Sequence, residues 1–250
     1  MTFVNKVFCF LTVILSLFAI NIAFAQDNDS INLAQQKIFT SLEEAIKTPE
    51  QVFRLQLKKK RLKKIPDEVF SLVNLKELDF SKNRITEIPP SIKKLSNLQI
   101  LNLSNNKIAE FPPELCELKK LTILNVSKNK IDMLPPQLGS LTNLTVLDAS
   151  ANKIVMLTPS IGQLGKLKSL ILNRNNIKTI PPEIGNLKSL TYLDLWGTLI
   201  TGLPDEIGKM RTNLKVLDLR VTVISYDRQS RIRKLLPATD INFSKGCNCN

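Results

Sequence analysis

Residues 98–108 read Leu98-Gln99-Ile100-Leu101-Asn102-Leu103-Ser104-Asn105-Asn106-Lys107-Ile108, and the arrangement returns at a fixed distance on either side. A leucine or valine opens each copy at Val52, Leu75, Leu98, Leu121, Leu144, Leu167 and Leu190, 23 residues apart, and at Leu214 after 24. Eight units follow. With the opening residue at offset 0, apolar residues recur at offsets 3, 5, 10, 13, 17 and 20, as in Leu101, Leu103, Ile108, Phe111, Leu115 and Leu118. Offsets 3 and 5 alternate like a strand buried on one face. The stretch after the proline pair, such as Ser91-Ile92-Lys93-Lys94-Leu95, has the spacing of a short helical turn. Each unit is therefore a strand, a turn and a short return segment. One such unit cannot bury its own apolar stripe, so neighbours stack and their strands align into one parallel sheet. The expected fold class is α/β: a solenoid of stacked units with one parallel β-sheet and short helical or irregular return segments.

These residues resemble leucine-rich-repeat proteins, whose signature L-x-x-L-x-L-x-x-N-x-L is matched by Leu98 to Ile108. Ile88-Pro89-Pro90 and Ile180-Pro181-Pro182 look like the 23-residue class with I-P-x-x units, as in secreted bacterial members. The resemblance covers residues 52 to about 236. It implies a horseshoe with a concave parallel β-sheet and short helical or irregular convex segments, binding another macromolecule on the concave side.

The asparagine at offset 8 recurs as Asn83, Asn106, Asn129, Asn152 and Asn175. Its amide can satisfy backbone groups at the turn leaving the strand, which marks a structural ladder and not a catalytic one. Lys60, Thr198 and Thr222 replace it in the first and last two units, as capping repeats commonly do. The array is expected over residues 52–226. Upstream, Ser41-Leu42-Glu43-Glu44 fits a capping box opening a short helix before Pro49, within an N-terminal tail and cap over 26–51. Downstream, Ser230 to Leu236 reads as helical and Ile241 with Phe243 as a last strand, a cap over 227–243. Gln26–Leu33 and residues 244–250, polar and apolar-poor at the termini, are expected to be disordered.

Residues 1–25 carry Lys6, an apolar run from Val7 to Ile20, and Ala23-Phe24-Ala25 before polar residues: a signal peptide cut after Ala25. The competing reading is an uncleaved anchor, but the apolar run is shorter than the roughly 20 residues a spanning helix needs. Cleavage gives a protein that is secreted, periplasmic or on the cell surface, starting at Gln26 and with no integral membrane segment. It also leaves three cysteines, an odd count for an exported chain. Cys116 lies within a unit and reads as a small core-facing residue. Cys247 and Cys249 read either as a frayed tail or as a redox, metal or intermolecular handle; with no histidine in the chain, no metal site is expected.

With the leucines inward, offsets 2, 4, 6 and 7 face solvent on the concave side. Offset 4 reads Gln56, Asp79, Asn102, Asn125, Asp148, Ile171, Asp194 and Asp218; offset 6 reads Lys58, Ser81, Ser104, Ser127, Ser150, Asn173, Trp196 and Arg220. The middle is bland and the ends are not. Arg54, Lys58, Lys59, Lys60, Arg61, Lys63 and Lys64 form a basic patch with no acid among them. It reads either as a solvated face or as an electrostatic site for an anionic polymer such as lipopolysaccharide or acidic polysaccharide. Nucleic acid fits least, because no aromatic residue interleaves the charges to stack on bases. At the other end Tyr192, Asp194 and Trp196 alternate on one strand, with Arg220 beside Trp196 on the next and Arg174 nearby. Trp196, the single tryptophan, either anchors a partner or folds onto Arg220 and the cap as a lid.

The chain carries a net charge of +13 and shows no G-x-S-x-G, no phosphate loop and no carboxylate pairing beyond the repeat. The expected function is a non-catalytic scaffold without a cofactor. It recognises a macromolecular partner, foremost a protein, on the concave face; the alternative is a surface module for an anionic polymer held at its basic ends.

Overall fold

The computed structural model describes residues 32–244, which form one open sheet of ten parallel strands in sequence order, β1 to β10. Strands β2 to β9, at Arg54–Gln56, Glu77–Asp79, Ile100–Asn102, Ile123–Asn125, Val146–Asp148, Ser169–Ile171, Tyr192–Asp194 and Val216–Leu219, are the eight sequence units. Their register is that of the repeat: Leu55, Leu78, Leu101, Leu124, Leu147, Leu170, Leu193 and Leu217 pair across the sheet in an unbroken column. Every member of that column is fully buried. At about 1.5–3 kcal/mol per buried large aliphatic side chain, stacking supplies what an isolated unit lacks. The fold is a leucine-rich-repeat horseshoe with its sheet on the concave side.

Two strands lie outside the eight units. β1 (Ile38–Phe39) pairs with β2, and β10 (Asp240–Phe243) pairs with β9. The sequence pattern pointed to β10 through Ile241 and Phe243 but gave no sign of β1, whose two residues are too few to alternate. Helix α1 (Leu42–Ala45) is capped by Ser41, whose Oγ accepts from the Glu44 N–H at 3.3 Å, and it buries Ala45. Helix α2 (Tyr226–Leu235) buries Ile232 against the last repeat. Ser244, expected to open a loose tail, is tied to the sheet: its Oγ accepts from the Val221 N–H at 2.7 Å. Leu33 likewise enters a 3-10 turn, Leu33–Gln35. The signal segment 1–25, the rest of the polar stretch up to residue 31, and Cys247 with Cys249 lie outside the described residues.

The return segments are single 3-10 turns, for example Pro90–Lys94, Pro113–Glu117 and Pro136–Ser140. Proline at the first position sets φ there and forgoes an N–H that has no helical partner. In the later units glycine sits at offset 18 because neighbouring turns touch. A Cβ on Gly139 would lie 2.6 Å from the Ser160 carbonyl oxygen, and one on Gly162 would lie 2.5 Å from that of Glu183. The corresponding residues of the first three units are Phe70, Lys93 and Cys116. Cys116 is buried, and that burial pushes its thiol up to about 12, which leaves it an unreactive packing residue.

Candidate functional site

The concave surface is built on turns whose polar residues serve the backbone first. Asn83 Nδ2 donates to the carbonyls of Leu57 and Phe80 at 2.8 Å, while its Oδ1 accepts from the N–H groups of Lys60 and Leu62. Asn106, Asn129, Asn152 and Asn175 bridge in the same way, each tying its own turn to the preceding unit. Thr198 and Thr222 make only the bond within the turn, to the carbonyls of Leu195 and Leu219. A second set of asparagines, absent from the sequence reading, lies one residue before four of the opening leucines: Asn74, Asn97 and Asn143 donate to the carbonyls of Glu50, Val73 and Lys119, and Asn213 to those of Leu187 and Leu190.

The offset-4 column is also committed. Asp79, Asn102, Asn125, Asp148, Asp194 and Asp218 each accept from the backbone N–H two residues on. The acidic trend on this face is thus a turn-closing device. Ile171, expected among the exposed members, is 5 % exposed. Offset 2, expected to face solvent, supplies an apolar column in the middle of the sheet: Ile100 and Val146 are half-buried around a buried Ile123.

Offset 7 adopts a left-handed conformation in all eight units, with positive φ at Lys59, Lys82, Asn105, Lys128, Ala151, Arg174, Gly197 and Val221. Only Gly197 takes it without a Cβ penalty. At the C-terminal end this places the Arg174 guanidinium 4.4 Å from the centroid of the Trp196 ring. The expected neighbour was Arg220. Arg220 instead turns back on its own strand, with Nε 3.0 Å from Asp218 Oδ1 and Nη2 2.6 Å from Asp218 Oδ2. A bidentate pair with a buried carboxylate outcompetes stacking on the indole. Trp196 remains half-buried on the concave face.

Beneath it, Asp194 is buried and held by the Trp196 N–H at 3.0 Å and Asn173 Nδ2 at 2.6 Å. Burial raises its carboxyl to about 6, and these donors oppose the rise. Burial, and then the negative charges of Asp194 and Asp218, raise the neighbouring Tyr192 hydroxyl. Tyr192, Asp194, Trp196, Arg174 and Arg220 thus lie on the adjoining ends of three consecutive units. They combine an aromatic stack with a buried acidic centre.

The basic patch separates into two parts. Arg54 is 9 % exposed and pairs with Glu77, Nε to Oε2 2.6 Å, so it belongs to the sheet. Lys58, Lys59, Lys60, Arg61, Lys63 and Lys64 are exposed in the turn that follows β2. Among the described residues no group of three or more potential metal ligands gathers.

An open parallel sheet wound from 23-residue units, with turn asparagines bridging neighbours, defines a repeat solenoid. The sequence model of the leucine-rich repeat region matches residues 51–154, and a second leucine-rich-repeat model matches residues 142–200. The chain belongs to the leucine-rich-repeat family. Comparison with curated protein sequences gives no match. Among solved structures it is similar to the plant peptide hormone receptor RGFR1 in complex with RGF2, at 36 % identity and TM-score 0.60 over 68 % of this chain and 27 % of the receptor. The ectodomain of the Arabidopsis thaliana receptor kinase GASSHO1/SCHENGEN3, in complex with CASPARIAN STRIP INTEGRITY FACTOR 2, gives 27 % identity and TM-score 0.58 over 80 % and 28 %. An internalin, InlF of Listeria monocytogenes, shares the fold at 18 % identity and TM-score 0.69 over 80 % and 58 %. The chain therefore spans little more than a quarter of the plant receptor chains. No helix of the described residues is long and apolar enough to cross a membrane.

Proposed function

We propose that this protein is a non-catalytic scaffold acting outside the cytoplasm, and that it holds a protein or peptide partner on the concave face at the C-terminal end of its array. The observation that carries this reading is the Arg174–Trp196 stack, with Trp196 half-buried on the concave surface. Stacked aromatic and arginine side chains offer large contact area at low ordering cost, which is why such residues dominate interface energetics. The apolar column of Ile100, Ile123 and Val146 extends the same face toward the middle. The plant receptors with this fold are complexes with RGF2 and with CASPARIAN STRIP INTEGRITY FACTOR 2, which supports a peptide or protein ligand.

Trp196→Ala tests the assignment. With a partner captured by the wild-type protein, the variant is expected to lose about 2 kcal/mol or more of binding while its unfolding midpoint barely moves. A fall in the midpoint with binding intact would make Trp196 a lid over the last repeats and end the interface reading. A second reading, an anionic polymer held at the basic end, is favoured by the exposed cations from Lys58 to Lys64. Polymer binding through many cations weakens steeply with salt, whereas an aromatic anchor does not.

A further inference from the structure

Beyond the first turn, the cations form a column. Offset 9 reads Arg61, Arg84, Lys107, Lys130 and Lys153 in the first five units, and all five are exposed. The position is rigid, because the sheet ladder continues past the strands there. The N–H groups of Arg84, Lys107, Lys130 and Lys153 donate to the carbonyls of Leu62, Ile85, Ile108 and Ile131, each at 2.8 Å. Adjacent backbones are thus one strand spacing apart, about 4.8 Å, and the column runs for about 19 Å. Two residues upstream, Lys59, Lys82 and Lys128 flank it in their left-handed turns. Among the described residues none of the five column cations enters an ion pair. Three exposed acids, Glu87, Glu110 and Asp132, lie two or three positions downstream and leave the column unpaired. The run stops at Asn176, Leu199 and Val223 in the last three units.

Like charges directly opposite on neighbouring strands repel, so five in succession cost the fold stability unless an anion neutralises them. We infer that this edge binds a linear acidic polysaccharide, a polyuronate or sulfated chain lying across the repeats with its charges along the column. The inference rests on the anionic-polymer reading and deepens it: the site extends from the N-terminal turn through five units. The occupant is a polymer because the cations form a line one or two residues wide, and a polysaccharide because the column contains no aromatic residue on which bases would stack.

The test uses the folded chain, polygalacturonate as probe, and the variant Arg84→Gln/Lys107→Gln/Lys130→Gln. At about 0.1 M salt the variant is expected to bind about 10- to 100-fold more weakly, with a slope of log affinity against log salt shallower by two to three. Its unfolding midpoint should hold or rise as repulsion is relieved, and Trp196→Ala should bind the polymer like the wild type. Affinity of the triple variant within twofold of wild type overturns the inference. Loss of binding confined to Lys58→Gln/Lys59→Gln/Lys63→Gln would leave the basic-end reading standing and remove the column from it. Tighter binding of single-stranded DNA than of polygalacturonate, or of anionic phospholipid vesicles with no binding of the soluble polymer, would assign the edge to a different macromolecule and overturn the proposal.

Discussion

Asp194 holds the Trp196 backbone from below, and it does so at an electrostatic cost. Its carboxyl is raised to about 6 by burial, whereas an unfolded chain titrates near 3.9. The folded state therefore binds the proton more tightly. The stability tied to this group is complete below about pH 4 and is lost as pH rises through about 6. Asparagine occupies the equivalent place at Asn102 and Asn125, where its oxygen accepts the same turn N–H. Asp194→Asn is thus expected to gain about 1–3 kcal/mol at pH 7.5 and little at pH 4, read from urea midpoints at the two values. An equal change at both would mean that Asp194 is not destabilised by its burial. The sequence showed that this carboxylate belongs to a repeating column but not what the column does. An Asx turn looks the same in sequence as an exposed polar ladder. The partner of Trp196 was equally illegible, since Arg174 and Arg220 lie on either side of it and only the Asp218 pairing decides between them.

At the scale of elements, the strands and their register were legible because one residue in each unit opens a 23-residue period and each leucine finds its counterpart one unit on. The return segments were legible as helical turns, but not as 3-10 turns, because five residues do not complete two turns of either kind. The ends were only half legible. β1 has two residues, and a strand so short is also a quiet edge, since it offers few unpaired backbone groups to another chain. At the other end β10 covers the four-residue β9, with Ile241 buried and Phe243 under the Arg233 guanidinium at 5.0 Å. Ending the chain at Leu236 would uncover β9 and remove the burial of Ile241. That truncation is expected to cost at least about 2 kcal/mol and to promote edge-to-edge association. Thermal unfolding together with light scattering at rising protein concentration would show both effects; a monomer of unchanged midpoint would mean that β10 is dispensable.

Across the whole molecule the bonds are those of a one-dimensional stack, each unit touching its neighbours at identical positions. Offset 18 breaks that equivalence. Gly139, Gly162 and Gly185 let the convex turns close to distances that a Cβ would violate, while Cys116 stands at the same place one unit earlier. The protein can therefore be shortened at some seams and not at others. Removing residues 144–166 joins Asn143 to Leu167 and sets Gly139 against the turn that Gly162 faced, so sheet and convex side both close. Removing residues 121–143 closes the sheet equally well but puts the Cys116 Cβ where Gly139 met Ser160 and Gln163. The first deletion is expected to unfold cooperatively at a clearly higher temperature than the second. Cys116→Gly in the second background should recover much of the difference, because there the obstacle is a single side chain. By the same logic, this chain can change its number of repeats by whole units among its glycine-bearing members, while the seam at Cys116 resists that change through a single side chain on the outside of the curve.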